Sequence, residues 1–291
     1  MRKILSRTLI FLLLLSVQHV NAEEHNVKRI IALSPHSVEI LFLLGAGDRI
    51  VGTTMFAHYP AAAKDIPRVG GHTGIQIDRV LELEPDLVIA WEGGNPEKDL
   101  IRITQLGLAL YKSSTKNLEG IPDEIERIGA LIGLKEEGLL QATRYRERLT
   151  AIRTNYANRA PVSCFYQLWS KPLRAMAKGS WINQMFEGCG AKNIFNDPGQ
   201  DYPQVSMEVV IESKPEVIVV PTHHGGEISV ELWRGWPEIP AVANDNIVFF
   251  DGDLLHRFSY RTLDGMQQVC DKFQTIRASR LETNNAQKGS S

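Results

Sequence analysis

Cysteine is scarce in this chain, and long apolar runs are scarcer. The three cysteines, Cys164, Cys189 and Cys270, follow no zinc-ligand spacing. After the N-terminal segment no stretch approaches the ~20 consecutive apolar residues that a membrane span needs. An excess of one charge is missing too: the formal net charge is −2, which gives no basic surface for nucleic acid. The sequence lacks a nucleophile elbow, a G-x-x-x-x-G-K-[ST] phosphate loop and an H-E-x-x-H zinc motif. The pairs Gly93-Gly94 and Gly225-Gly226 lack the glycine pattern of a dinucleotide site. His36, His58, His72 and His256 are scattered rather than closely spaced, a weak signal for a metal site. The absences therefore predict no catalytic residues, no metal ligands and no resident cofactor.

What is present begins with an export signal. "MRKILSRTLIFLLLLSVQHVNA" carries Arg2, Lys3 and Arg7, then an apolar stretch, then small residues ending at Ala22. That order predicts a secretory signal peptide over 1–22, cleaved after Ala22. The apolar part is too short for a bilayer span. An exported chain meets an oxidising compartment, where disulfides persist. Cys164 reads as a buried strand thiol within "VSCFYQLW". Cys189 and Cys270 both end helix-like segments and make the better pair.

Helical and extended patterns alternate through the rest. "KRIIALSPHSVEILFLLGAGDRIVGTT" reads strand, helix, strand, with Ser34 as N-cap and Pro35 at the first helical position. "DRVLELEPDLVIAW" reads as a short helix, a Pro-bearing turn and a strand, whose unbroken apolar run suits a parallel sheet covered on both faces. The same unit returns as "EVVIESKPEVIVV", setting Asp78 on Glu208 and Pro85 on Pro215. Between the copies, Leu139, Ala142, Tyr145, Leu149, Ile152 and Tyr156 recur at spacings of three and four, which predicts one long amphipathic helix. The reading is an α/β protein of two lobes with mainly parallel sheets, joined by that helix, with a ligand cleft between the lobes. The extents are 23–118 for the first lobe, 119–159 for the helical connector and 160–279 for the second lobe. The polar residues 280–291 are expected to be a disordered tail.

Flat side chains crowd the loops after the strands: Phe56, His58 and Tyr59, then His72, Trp91, Trp169, Tyr202, His256 and Arg257. Such a wall suits a large, flat, partly apolar ligand with polar edges. Trp181 and Phe186 are expected in the core. "RIIALSPHSVEILFLLGAG", "DRVLELEPDLVIAWEGGN", "YPQVSMEVVIESKPEVIVV" and the closing "HRFSYR…C" together resemble the iron-siderophore/B12 class of ABC-importer substrate-binding proteins, and within it the cobalamin branch. The resemblance covers about residues 28–275. It implies a ligand site at Phe56, His72, Trp91, Trp169, Tyr202, Asp253, Leu254, Leu255, His256 and Arg257. It also implies a disulfide between Cys189 and Cys270, and transporter docking through Asp78 and Glu208. The implied ligand is cobalamin or a related corrinoid, with haem, a ferric siderophore or another chelate as the alternative. The implied partner is a two-fold membrane permease, met by a monomer. The chain departs from the resemblance at Phe56, which lacks a hydroxyl, at His72 in place of Trp, at His256 in place of an acid, and at Asp78 where Glu is usual.

Overall fold

A computed structural model describes residues 27–71, 73–156, 158–195, 199–222 and 231–289, with side chains described up to 282. The predicted signal peptide, His72 and the His223-His224 pair lie outside the described residues. The first lobe runs β1 (Ile30–Ala32), α1 (Pro35–Leu43), β2 (Ile50–Thr53), the short strands β3 (Gly70–Gly71) and β4 (Gly74–Ile75), α2 (Ile77–Glu82), β5 (Leu87–Trp91), α3 (Glu97–Gln105) and β6 (Leu110–Ser113). Then come α4 (Gly120–Leu131) and α5 (Lys135–Tyr156). The second lobe begins with β7 (Val162–Ser170), β8 (Leu173–Ala175), α6 (Trp181–Gly188), β9 (Ala191–Asn193), α7 (Met207–Ser213) and β10 (Val217–Thr222). It ends with α8 (Glu231–Arg234), α9 (Pro240–Ala243), β11 (Ile247–Asp251), α10 (Gly252–Leu255) and α11 (Thr262–Gly289).

The first sheet has the order β2-β1-β5-β6, all parallel. The second has β11-β10-β7-β8 with β9 also on β7, and only β8 runs antiparallel. Both faces of the first sheet are covered. Ile30, Ala32, Leu87 and Ile89 join the main core with α1 and α4, while Ile31, Leu33, Val88 and Ala90 pack on the other face with α3. Burial on both sides is why these strands read as continuous apolar runs. The side chain of Ser34 caps α1 by accepting from the backbone N–H of Ser37 at 3.2 Å.

The repeated unit has a mechanical explanation. The acids just after the two prolines, Asp86 and Glu216, tie the start of β5 and β10 to the strand beside them. Asp86 Oδ2 accepts from the backbone N–H of Lys28 at 2.8 Å and of Arg29 at 2.9 Å. Glu216 Oε2 accepts from the backbone N–H of Ser163 at 2.8 Å. In each lobe the acid's own N–H returns a bond to the neighbour's carbonyl, Asp86 to Arg29 and Glu216 to Ser163. The residues before the prolines, Glu84 and Lys214, both take the left-handed conformation, φ 41° and 46°, which stops the preceding short helix. The two backbone N–H groups hold the Asp86 carboxyl below the usual carboxylate range. A depressed native pKa gives stability that is present above pH ~4 and is lost as pH falls through the native value. Asp86→Asn is therefore expected to melt below the parent at pH 7, with the gap closing towards pH 3; equal gaps at both pH values would count against this role.

The connector is a helical hairpin. Gly138, Ala142, Tyr145, Leu149 and Ile152 form the buried face of α5, a helix of 22 residues. Leu139, expected on that face, is 40% exposed, and Gly138 takes the seam instead. The reason is the crossing with α4: a Cβ on Gly129 would come within 2.9 Å of Gly138 Cα. Two helices can approach this closely only where neither carries a side chain. Gly129→Val is expected to cost about 1–3 kcal/mol through overpacking, read by urea or thermal unfolding.

Over 280–289, within the segment expected as a disordered tail, the chain is helical. Helix α11 continues to Gly289. No proline interrupts "SRLETNNAQKG", and extending an existing helix avoids the costly step of nucleating one. Arg280 Nη1 also reaches Glu216 Oε1 at 2.8 Å, holding the first turn of this extension on the second lobe.

Candidate functional site

The site residues come from the carboxyl ends of the parallel strands, where open α/β sheets bind ligands. β1 leads into α1 and places His36 in its first turn. β2 leads into the 54–60 loop. Phe56 in that loop is 53% exposed and adopts φ 70°. β5 ends at Trp91, which is half-buried. Asn95 pins it: Asn95 Oδ1 accepts from the Trp91 N–H at 2.7 Å, and Asn95 Nδ2 donates to the Leu33 carbonyl at 2.8 Å. Gly94 is required here because an added Cβ would overlap the Trp91 indole. The "GGN" stretch is thus the mount of the indole. No helical or strand periodicity pointed to Asn95; its signal was its place in a stretch with turn chemistry.

Trp91 opens a chain of rings across the two lobes. His36 meets it edge to face at 5.2 Å between ring centroids. Phe258 lies 6.3 Å from His36, and Trp181 stacks on Phe258 at 4.2 Å. Trp181 is half-buried and shares this ring chain, whereas Phe186 is fully buried as expected. Burial, with the Arg257 charge nearby, pushes His36 down to about 3, so its imidazole is neutral at pH 7. The Nε2 of His36 is buried and has no hydrogen-bond partner among the described residues.

In the second lobe Trp169 stands 58% exposed near the end of β7. It pairs in the ladder with Arg174, whose Nη1 donates to the Tyr202 carbonyl at 3.1 Å, so Trp169 and Tyr202 flank one short strand. The Tyr202 hydroxyl accepts from Ser180 Oγ at 3.0 Å. His256 Nε2 sits 2.7 Å from the buried Tyr166 hydroxyl. Asp253 is half-buried, and Leu254 and Leu255 point into the interior. Arg257 is buried, and its guanidinium is occupied by Glu39 at 2.8 Å, Asp253 at 2.5 Å and the Phe56 carbonyl at 3.0 Å. Loops from both lobes therefore meet at Arg257. Its side chain bonds protein groups, a role that sequence reading missed because the partner Glu39 lies more than two hundred residues away.

Asp78 and Glu208 are exposed, and each is the second residue of its helix, α2 and α7. The Glu208 backbone N–H and the Ser206 hydroxyl hold the Glu208 carboxyl below the usual carboxylate range. Cys189 and Cys270 are joined in a disulfide, and Cys164 is a buried free thiol. Among the described residues no cluster of three or more His, Cys, Asp or Glu could hold a metal ion.

A family model for periplasmic binding proteins matches residues 30–254. The chain belongs to the periplasmic binding protein family. A vitamin B12-binding protein of Vibrio cholerae is 40% identical over 250 residues, covering 86% of this chain and 90% of the relative. The counterpart in Vibrio campbellii is 38% identical over 254 residues, with 87% and 92% coverage. Among solved members of the family, the periplasmic vitamin B12-binding protein BtuF of Vibrio cholerae superposes with a TM-score of 0.75 at 40% identity, over 87% of this chain and 98% of that one. The heme-binding protein RhuT from Roseiflexus gives a TM-score of 0.78 at 23% identity, over 86% and 99% of the two chains. At that identity the likeness is one of fold. The two mainly parallel sheets and the long helix α5 match the fold of these solved structures.

Proposed function

We propose that this protein captures vitamin B12, or a closely related corrinoid, in the periplasm and delivers it to an inner-membrane ABC importer. The observation that carries this reading is the 40% identity to a vitamin B12-binding protein over most of both chains. The side chains at the strand ends support it: exposed or half-buried rings at Phe56, Trp91, Trp169 and Tyr202 suit a broad, partly apolar ligand with polar edges. In this reading the ligand lies between the strand ends of the two lobes, 23–118 and 160–279, with 119–159 as the bridge. Phe56, His72, Trp91, Trp169, Tyr202, Asp253, Leu254 and His256 supply contacts. Leu255, buried in the core, contributes backbone only, and Arg257 acts by holding its neighbours. The ligand is carried unchanged, so no catalytic group is assigned. The chain reaches the periplasm through a signal peptide cleaved after Ala22 and works as a monomer until it docks through Asp78 and Glu208.

Calorimetry of the mature protein with cyanocobalamin, cobinamide, haem and ferric chelates tests the reading. Tight binding of a corrinoid, with haem and chelates weak, is the expected result. Tight binding of haem or a ferric chelate with no response to either corrinoid would overturn it and assign the cleft to that ligand instead.

A further inference from the structure

A buried carboxylate sits where the two lobes meet. Glu39 lies on α1 with its side chain fully buried. Its Oε1 accepts from Arg257 at 2.8 Å and from Arg261 at 3.3 Å, and its Oε2 accepts from the Ser259 hydroxyl at 2.5 Å. All three donors come from the segment between α10 and α11. Each arginine then reaches the first lobe again. Arg257 donates to the Phe56 carbonyl at 3.0 Å, and the Arg261 guanidinium lies 3.6 Å over the Tyr59 ring. Glu39 and Asp253 balance the charges of Arg257 and Arg261.

Buried ion pairs are poor sources of net stability, because desolvation offsets the attraction. One attested use of such groups is to fix one arrangement among several. Here there is something to fix. Phe56 is held at φ 70°, where a side chain is disfavoured, and its carbonyl faces Arg257 while the next carbonyl, of Ala57, accepts from Arg68 at 2.9 Å. The Phe56–Tyr59 loop and the Asp253–Arg257 segment come from different lobes, and both hang on the two arginines that Glu39 anchors.

We propose that Glu39 is the positioning residue of the cleft: it orients Arg257 and Arg261, which hold the first-lobe Phe56–Tyr59 loop and the second-lobe Asp253–Arg257 segment in their binding arrangement. Glu39 itself touches no ligand. What those loops bind rests on the function proposed above; that Glu39 organises them does not.

Glu39→Gln keeps the size of the side chain and removes its charge. If loop order is what it supplies, fewer molecules are binding-competent at any instant, and the apparent affinity falls by that fraction. Stopped-flow binding of cyanocobalamin is then expected to show an association rate down by about tenfold, with the dissociation rate nearly unchanged. Hydrogen exchange is expected to quicken in peptides covering 54–60 and 252–261, and to stay as in the parent in β5 and β10. Arg261→Lys, at a partly exposed site, is the second variant should Glu39→Gln fail to fold. It is expected to quicken exchange at 54–60 while Arg257 keeps Asp253 in place. Unchanged exchange in both loops, or a rise spread evenly over both sheets, would overturn the proposal. So would a loss of affinity expressed only as faster dissociation, the mark of a direct contact. A parent protein that binds no corrinoid sinks the function proposed above, and the exchange measurement then still decides the role of Glu39.

Discussion

Reversing two charges at once, Asp78→Lys with Glu208→Lys, is expected to abolish corrinoid uptake in cells and to leave the dissociation constant of the purified protein unchanged. Both acids are exposed, and both occupy the second position of matching helices, so the two lobes offer one charge at one place each. A permease made of two identical subunits offers a two-fold surface, and a carrier with matching lobes meets it with both sites engaged. One exposed ion pair contributes only about 0.2–1 kcal/mol, so removing a single acid as Asp78→Ala is expected to slow uptake mildly. A lysine brings like charges together instead, which costs several kcal/mol at an interface. Doubling that cost removes productive docking. Lysine at a helix start also forfeits a small, solvent-screened interaction with the helix dipole, too little to unfold the chain. Uptake of labelled cobalamin in a strain carrying the variant, beside calorimetry on the protein, reads both halves. Normal uptake, or lost ligand affinity, would refute the docking role.

How far the molecule could be read from its residues depended on the range of the signal. Local signals were sufficient for Ser34 as a cap, for the unbroken apolar run of β5 and for the repeated helix–proline–strand unit, because each rests on contacts within a few residues. The repeat was read as architecture, yet the acids after Pro85 and Pro215 carried its mechanics. Their partners, the strand-start N–H groups near Arg29 and Ser163, lie more than fifty residues away. Leu139 misled because spacing alone cannot tell a packed leucine from its neighbour when a glycine–glycine crossing pulls two helices together. The resemblance set Arg257 at the ligand site, but a motif carries over a position and not the bonds its side chain makes. Only the buried Glu39 on α1, whose helix pattern gave no hint of a charge facing inward, shows where the guanidinium goes. The tail beyond residue 279 was judged on polarity, although its composition is compatible with continued helix.

Cys189→Ala with Cys270→Ala is expected to be the most destabilising change away from the cleft. The bond closes a loop of 81 residues between the end of α6 and the first third of α11. Restricting so long a loop in the unfolded chain corresponds to roughly 4.5 kcal/mol on the chain-entropy estimate. For a protein of this size that means a melting temperature lower by about 9–18 °C. Alanine rather than serine is the suitable replacement, since both positions are fully buried and a hydroxyl there would need its own partner. The neighbourhood should survive in outline: Arg277 Nη2 donates to the Cys189 carbonyl at 2.6 Å and Arg277 Nε to the Ala160 carbonyl at 2.6 Å, tying α11 to the same corner without the sulfurs. The parent is therefore expected to melt early after reduction, the variant to be indifferent to reductant, and corrinoid affinity to be retained well below either midpoint. Cys164 does not confuse the comparison. Burial pushes its thiol up to about 12, so it forms no thiolate for exchange at neutral pH while the protein is folded. A variant that melts with the oxidised parent would show that α11 is held by its packing and by Arg277 alone.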